Sequence, residues 1–245
     1  MTAMILDSSR DRSFQLFNFQ HAFQPIYNLQ DDYVFGYESL IRHPEIPNPE
    51  VLFSLAMQQN QLFDLDFHSI ANSIHTFEQQ SRYLNPPRLS VNVFPSTLLD
   101  PDFLRQLNRL MNKVALAPES IIFELNEAES VMSLGKLTDV IHCLRSLGFR
   151  FALDDLGKGQ SSLRIALELE PDIVKLDRYF SMDLGRSIKK QTFLNWISSY
   201  FINEGVSVTL EGIETAEELT IARQAGIQFG QGYFLGRPER YLLHT

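Results

Sequence analysis

Asp154 and Asp155 stand side by side at the end of an apolar run, Phe149-Arg150-Phe151-Ala152-Leu153, and open into a glycine turn, Gly157-Lys158-Gly159. Two carboxylates where a buried strand hands over to a loop favour a divalent cation. They have company. Glu38, Asn92, Glu124, Glu127, Lys175, Glu211, Glu214 and Gln231 each sit in or just beyond another apolar run. One such residue alone reads as a satisfied core group or an exposed strand terminus. A set of carboxylates at successive strand ends reads differently: each contact between like charges within about 4 Å costs up to roughly 4 kcal/mol at an effective dielectric of ~20, and bound dications offset it. All-oxygen donors plus one amide select magnesium or manganese, with calcium also able to bind. No cysteine or histidine stands at these positions, which argues against zinc.

The elements that must position these residues follow from hydrophobic periodicity. Apolar strands are predicted at Ala22–Tyr27, Tyr33–Arg42, Arg88–Phe94, Ser120–Leu125, Arg150–Asp155, Asp172–Asp177, Val206–Glu211 and Phe229–Leu235. Helical faces are predicted at Val51–Gln58 with Asp64–Tyr83, then Pro101–Val114, Leu134–Leu147, Ser161–Leu169, Ile188–Asn203 and Thr215–Ala225. Eight strands alternating with helices point to an α/β fold, a closed (β/α)8 barrel of the usual size, with chemistry at the C-terminal strand ends. Only Asn28 to Asp32 separates the first two strands. That is hairpin length, so one of the two is expected to run antiparallel to the rest. An open doubly wound sheet is the alternative, but no G-x-G-x-x-G turn follows an early strand.

The 245 residues, 44% hydrophobic and 21% charged, suffice for one large domain and exclude a disordered chain. The net charge of -9 disfavours a DNA or RNA duplex as partner and means that an anionic substrate needs cations supplied locally. The single cysteine, Cys143, cannot form an internal disulfide and reads as a small core residue in a reducing cytoplasm. No eighteen-residue apolar span predicts membrane insertion. The aromatic entry segment, Phe14, Phe17, Phe19 and Phe23, is expected to pack against the barrel and seal its base. Trp196 and Tyr200, four apart, read as a helix packing face. His68 and His75, seven apart on a predicted helix, lack a third metal ligand.

Taken together, the motifs resemble the EAL domain, the bacterial cyclic di-GMP phosphodiesterase family, whose Glu-Ala-Leu motif appears as Glu38-Ser39-Leu40. The resemblance runs from about Phe23 to Pro238, through Gln24-Pro25-Ile26, Ser90-Val91-Asn92, Glu124 to Glu127, Asp154-Asp155-Leu156-Gly157-Lys158-Gly159, Lys175-Leu176-Asp177, Glu211-Gly212-Ile213-Glu214-Thr215 and Gln231-Gly232-Tyr233. It implies a modified TIM barrel with one antiparallel strand near the N-terminus, an extension at residues 1–20 packing on it, and a barrel domain at residues 21–245.

It further implies two Mg2+ or Mn2+ ions, with Glu38, Asn92, Glu124 and Asp154 as ligands of the first and Asp154 and Asp155 as ligands of the second; calcium is expected to inhibit. Water activated by the two metals would open cyclic di-GMP to linear pGpG. Lys175 matches the lysine beside the attacking water, and Glu211 the proposed general base or metal-side ligand. Gln24, Arg42 and Gln231 match substrate-side positions, and Glu127 and Glu214 match positions that brace the site. A homodimer and a regulatory protein partner belong to the same expectation. The alternative on the same fold is a cyclic di-GMP receptor or protein-interaction module with little or no turnover. Departures from the family pattern cluster near the second metal: Lys158 for threonine, Gln160 for tyrosine and Asn126 for threonine, with Ser39 for alanine and His43 for tryptophan elsewhere.

Overall fold

A computed structural model describes residues 16–81, 87–125, 134–157 and 162–242. Glu127, together with Phe14, Asn126, Lys158 and Gln160, lies outside these residues. The strands are β1 (Gln20–Asn28), β2 (Tyr33–Arg42), β3 (Arg88–Val93), β4 (Ile121–Leu125), β5 (Arg150–Leu156), β6 (Ile173–Leu176), β7 (Ser207–Leu210) and β8 (Phe229–Gly230). The helices are α1 (Pro49–Gln58), α2 (Leu62–Gln80), α3 (Pro95–Leu98), α4 (Phe103–Met111), α5 (Leu134–Ser146), α6 (Ser162–Leu169), α7 (Ile188–Asn203) and α8 (Ala216–Gln224). The eight strands close into one barrel in sequence order. β1 is antiparallel to both β2 and β8, and every other neighbouring pair is parallel. The short first connection is thus a hairpin, with Asn28 Oδ1 accepting from the Gln30 and Asp31 amides.

Period-two alternation builds the barrel interior. Ile26, Phe35, Ile122, Ala152, Ile173 and Phe229 form an apolar floor, with the Phe35 and Phe229 rings stacked at 3.9 Å. Two residues further along their strands, on the same inner face, stand Glu124, Asp154, Lys175 and Gln231. In β1 the order reverses: Gln24 precedes Ile26, as an antiparallel strand requires. The main core fills the space between barrel and helices and includes Phe23, Phe77, Phe103, Phe123 and Phe151. Helix ends are fixed locally. Asn48 Oδ1 accepts from the Glu50 amide at the start of α1, and Thr215 with Glu218 forms a capping box at the start of α8.

At several places the fold departs from the sequence expectations. β8 ends at Gly230 rather than Leu235, because Gly232 to Gly236 turns, with Leu235 and Gly236 amides donating to Gly232 O. The helix expected over Pro101–Val114 is the shorter α4, Phe103–Met111, preceded by an unexpected short α3, and Ser120 closes a 3-10 turn instead of opening β4. Cys143 faces solvent on α5, whose buried positions are Leu137, Ile141 and Leu144. Trp196 is 57% exposed, and α7 buries Leu194, Ile197, Ser198 and Phe201 instead. Leu16 and Phe19 are buried against Ile41, Leu52, Ala56 and Leu65, with Phe17 packed alongside and both rings meeting His68 edge-on. This cluster lies at the Arg42 end of β2, the C-terminal end of the parallel strands, so it does not seal the base; the reversal of β1 puts it there. Among the described residues, no helix is long and apolar enough to cross a membrane.

Candidate active site

Above the apolar floor the polar layer converges on one cation. Lys175 Nζ, 2% exposed, lies 2.8 Å from Glu124 Oε2, 2.8 Å from Glu211 Oε1, 3.1 Å from Asp154 Oδ1 and 3.2 Å from Glu38 Oε2. Gln231 Nε2 donates to Glu38 Oε2 at 2.7 Å and to Gln24 Oε1 at 3.1 Å, and Gln24 Nε2 donates to Gly236 O at 3.0 Å. Asn92 Nδ2 donates to Glu38 Oε1 at 3.2 Å. Glu38 is thereby held from three strands or their extensions, with both oxygens engaged.

Adjacent residues in a regular strand point to opposite faces, so Asp154 and Asp155 need a local device to share one site. β5 supplies it. Its register with β6 shifts between Leu153 and Leu156, and Asp155 adopts the left-handed conformation, φ 54°. Such irregularities re-aim side chains next to functional sites. Carboxylate oxygens of Asp154, Asp155 and Glu211 consequently lie within 4.8 Å of one another.

Glu211 and Gln231 lie one residue past β7 and β8, on ladder hydrogen bonds that outlast the strands: the Glu211 amide donates to Leu176 O, the Gln231 amide to Leu210 O, and the Ile213 amide to Gln231 O. Gly232 makes this approach possible, since a Cβ there would stand 2.1 Å from Ile213 O.

Burial pushes the Glu211 carboxyl up to about 8, against the pull of Lys175 and with the push of Asp154 and Glu38. Burial likewise raises Glu124 well above the usual carboxylate range despite Lys175. Burial alone would lower Lys175, but Asp154, Glu124, Glu211 and Glu38 outweigh it, and the ammonium titrates well above its ordinary value. The residues fit a hard divalent cation. The donors are oxygens, and Asp154 Oδ1 is buried and has no hydrogen-bond donor in good geometry, although Lys175 Nζ is its ionic neighbour.

Two cavities meet here. The smaller, about 300 Å³, is polar and holds the chemistry: Glu38, Asp154, Asp155, Glu211 and Gln231 line it together with Asp177, Arg178, Glu214 and Tyr233. The larger, about 650 Å³, is a mostly apolar groove between the barrel and helices α1 and α2, walled by Leu40, Ile41, Phe53, Met57, Ile70 and Phe94. The grooves share Glu38 and Asp155.

The structure therefore brings together Gln24, Glu38, Asn92, Glu124, Asp154, Asp155, Lys175, Glu211, Glu214 and Gln231. It does not bring in Arg42, which is exposed, turns Nη1 to Ile41 O at 2.9 Å and lines neither cavity. Asp177 and Arg178 escaped the sequence criteria as site residues; the available signal was their place just beyond β6, where loop residues reach the barrel mouth.

Comparison with known proteins agrees with this arrangement. The EAL domain profile matches residues 8–238. A protein named "Probable cyclic di-GMP phosphodiesterase PdeA" of Escherichia coli (strain K12) is 26% identical over 220 residues, 88% of this chain and 30% of its own length. The cyclic di-GMP phosphodiesterase RocR of Pseudomonas aeruginosa is 27% identical over 224 residues, covering 90% of this chain and 57% of its own. The chain spans well under two thirds of these curated relatives. Among solved structures, a standalone EAL protein of Vibrio cholerae O395 in its c-di-GMP bound form superimposes with a TM-score of 0.83 at 25% identity, covering 93% of this chain and 95% of that one. The Klebsiella pneumoniae BlrP1 manganese/cy-diGMP complex does so with a TM-score of 0.81 at 28% identity, covering 91% and 56%. With the family profile spanning nearly its whole length, the chain belongs to the EAL domain family.

Proposed function

We propose that this chain hydrolyses cyclic di-GMP to linear pGpG with two Mg2+ or Mn2+ ions, as a homodimer in the cytoplasm, with Ca2+ as an inhibitor. The observation that carries the reading is the pairing of a complete oxygen donor set with a buried ammonium: Glu38, Asn92, Glu124, Asp154 and Asp155 surround Lys175 and Glu211 at one barrel mouth. Glu38, Asn92, Glu124 and Asp154 would hold one ion, and Asp154 and Asp155 the other, with Glu211 beside them. Ions held there would supply Lewis-acid charge to a phosphodiester and lower the pKa of an attacking water.

The chain's own groups do the rest. In the reaction the water oxygen bonds to phosphorus, the bond to the 3′ oxygen breaks, and that oxygen takes up a proton. Glu211, with a carboxylate oxygen within 4.8 Å of those of Asp154 and Asp155 and 2.8 Å from Lys175 Nζ, is placed to accept the water's proton. Lys175, buried beneath the cavity, offsets the charge of Glu38, Glu124, Asp154 and Glu211 and so keeps these carboxylates together at the site. Gln24 and Gln231 fix Glu38 so that its geometry is set before substrate arrives. The apolar groove beside Glu38 and Asp155 has the size and lining for a nucleobase flanking the scissile phosphate. Manganese and cyclic di-GMP in the BlrP1 complex support the ligand pairing.

The test is hydrolysis of cyclic di-GMP with magnesium, manganese or calcium, followed by pGpG chromatography. Wild type is expected to make pGpG with the first two, and Glu38→Ala and Asp155→Ala to lose at least about a hundredfold in kcat. Binding of cyclic di-GMP without pGpG under any metal would replace the enzyme with a receptor.

A further inference from the structure

The polar cavity has a charge imbalance that its metal ligands do not resolve. Six carboxylates line it, from Glu38, Asp154, Asp155, Asp177, Glu211 and Glu214, and among the described lining residues Arg178 is the one cation. Lys175 lies beneath, committed to four of the site's carboxylates. A cyclic dinucleotide carries two phosphodiesters, both ionised at every physiological pH. The metal ligands serve the one that is cut. We propose that Arg178 binds the other, making it a substrate-positioning residue; this rests on the cyclic dinucleotide reading above.

The side chain is built for such an exchange. Its backbone is fixed on the 3-10 turn Arg178–Phe180, where Asp177 Oδ1 accepts from the Tyr179 amide at 2.8 Å. Gly212 lets it pack tightly against the strand extension that carries Glu211: a Cβ on Gly212 would stand 2.5 Å from the Arg178 Cβ. The Arg178 side chain is nevertheless 61% exposed, and its partner Glu214, 51% exposed, lies 3.6 Å away, beyond hydrogen-bond reach. An exposed pair of this length contributes little and separates readily. A phosphodiester offers the same fork two oxygens in better geometry. Glu214 thus holds Arg178 at the mouth of the free site and releases it when substrate enters. Arg42, the other arginine near this end of the barrel with a candidate phosphate role, is turned to its own backbone and lines neither cavity.

The proposal separates from a bracing role by comparing two substrates. Arg178→Gln, Arg178→Lys and Glu214→Gln would be assayed with Mn2+ on cyclic di-GMP and on bis(p-nitrophenyl) phosphate, which has one phosphodiester and no second anion. Dissociation constants for cyclic di-GMP would be measured with Ca2+. Arg178→Gln is expected to raise KM and Kd for cyclic di-GMP about tenfold to a hundredfold with kcat within about threefold, and to leave bis(p-nitrophenyl) phosphate turnover within about twofold. Arg178→Lys recovers part of the loss, and Glu214→Gln, which frees the arginine from its competitor, lowers KM for cyclic di-GMP. Equal losses on both substrates, or a Glu214→Gln variant that behaves like Arg178→Gln, would make the pair a structural brace and overturn the proposal. If wild type binds cyclic di-GMP without cutting it, the enzyme reading fails while the Kd series still decides Arg178. If wild type neither binds nor cuts, both readings fall.

Discussion

Lys175 brings one positive charge into a ring of four carboxylates, and the ring exists in this form because of it. Removing one partner from a buried ionic cluster leaves uncompensated charge and costs about 3–5 kcal/mol. Lys175→Met is therefore expected to lower the Tm of the chelator-treated protein by roughly 10 °C, at ~2–4 °C per kcal/mol for a chain of this size. Manganese should recover much of that loss, since the same oxygens bind it. A variant as stable as wild type in chelator would mean that the carboxylates stay neutral without the lysine. The residue types of this site were legible in the sequence because each interrupts an apolar run. Their roles were less so. The resemblance implied a place for Lys175 beside a water; its place at the centre of the acid cluster is a contact between strands that no local pattern encodes. Glu211 joining Asp154 and Asp155 is hidden for the same reason.

At the scale of elements, two backbone irregularities set the site, and only one is marked in the sequence. The β5 bulge aims two neighbouring aspartates at one place, and the left-handed Asp155 has no sequence signature beyond the tolerance of aspartate for that conformation. Gly232 is the marked one. Its missing Cβ admits Ile213, which keeps Gln231 on Glu38. Gly232→Ala should therefore separate the β7 and β8 extensions and lower both stability and kcat. Gly205→Ala is the control, since its φ of 77° is strained for alanine but nothing lies within 4 Å, and it should cost only about 1–2 kcal/mol with activity kept. Urea denaturation and initial rates check both; a Gly232→Ala protein with native kcat would mean that turnover does not depend on Gln231 holding Glu38. Strand and helix order was readable from periodicity, and failures fell where tertiary contacts overrule it. β8 stops early because the chain turns at Gly232, and Cys143 and Trp196 lie off the buried faces of their helices by a fraction of a turn.

At the scale of the molecule, His21 ties the reversed strand to the helical layer, with Nδ1 donating to Asn72 Oδ1 at 3.2 Å and Nε2 taking the Ser69 hydroxyl at 3.0 Å. Burial drives its pKa down from 6.5 to about 4; the Asn72 hydrogen bond opposes the shift, and Arg42 and His68 add to it. The unfolded chain takes up this proton below pH 6.5 while the folded one waits until about pH 4. The stability that neutral His21 protects is fully present above pH ~6.5 and is lost as pH falls toward about 4, by at most about 3 kcal/mol. Replacing His21 with glutamine should remove that share of the acid sensitivity, read as a smaller change in urea midpoint between about pH 7 and about pH 4.5 than wild type shows. An unchanged midpoint difference would mean that His21 titrates normally.

The same reversed strand decides where upstream polypeptide is anchored. A barrel whose first strand runs with the others receives its chain from the far end; in this one the entry point is displaced along the nine residues of β1, roughly 30 Å at ~3.4 Å per residue, to the rim that holds the acids. Anything fused ahead of Leu16 is tethered at the reaction rim, beside α1 and α2, which wall the groove. A sensor or tag grafted there stands within reach of ligand traffic, and its influence needs no relay through the barrel wall.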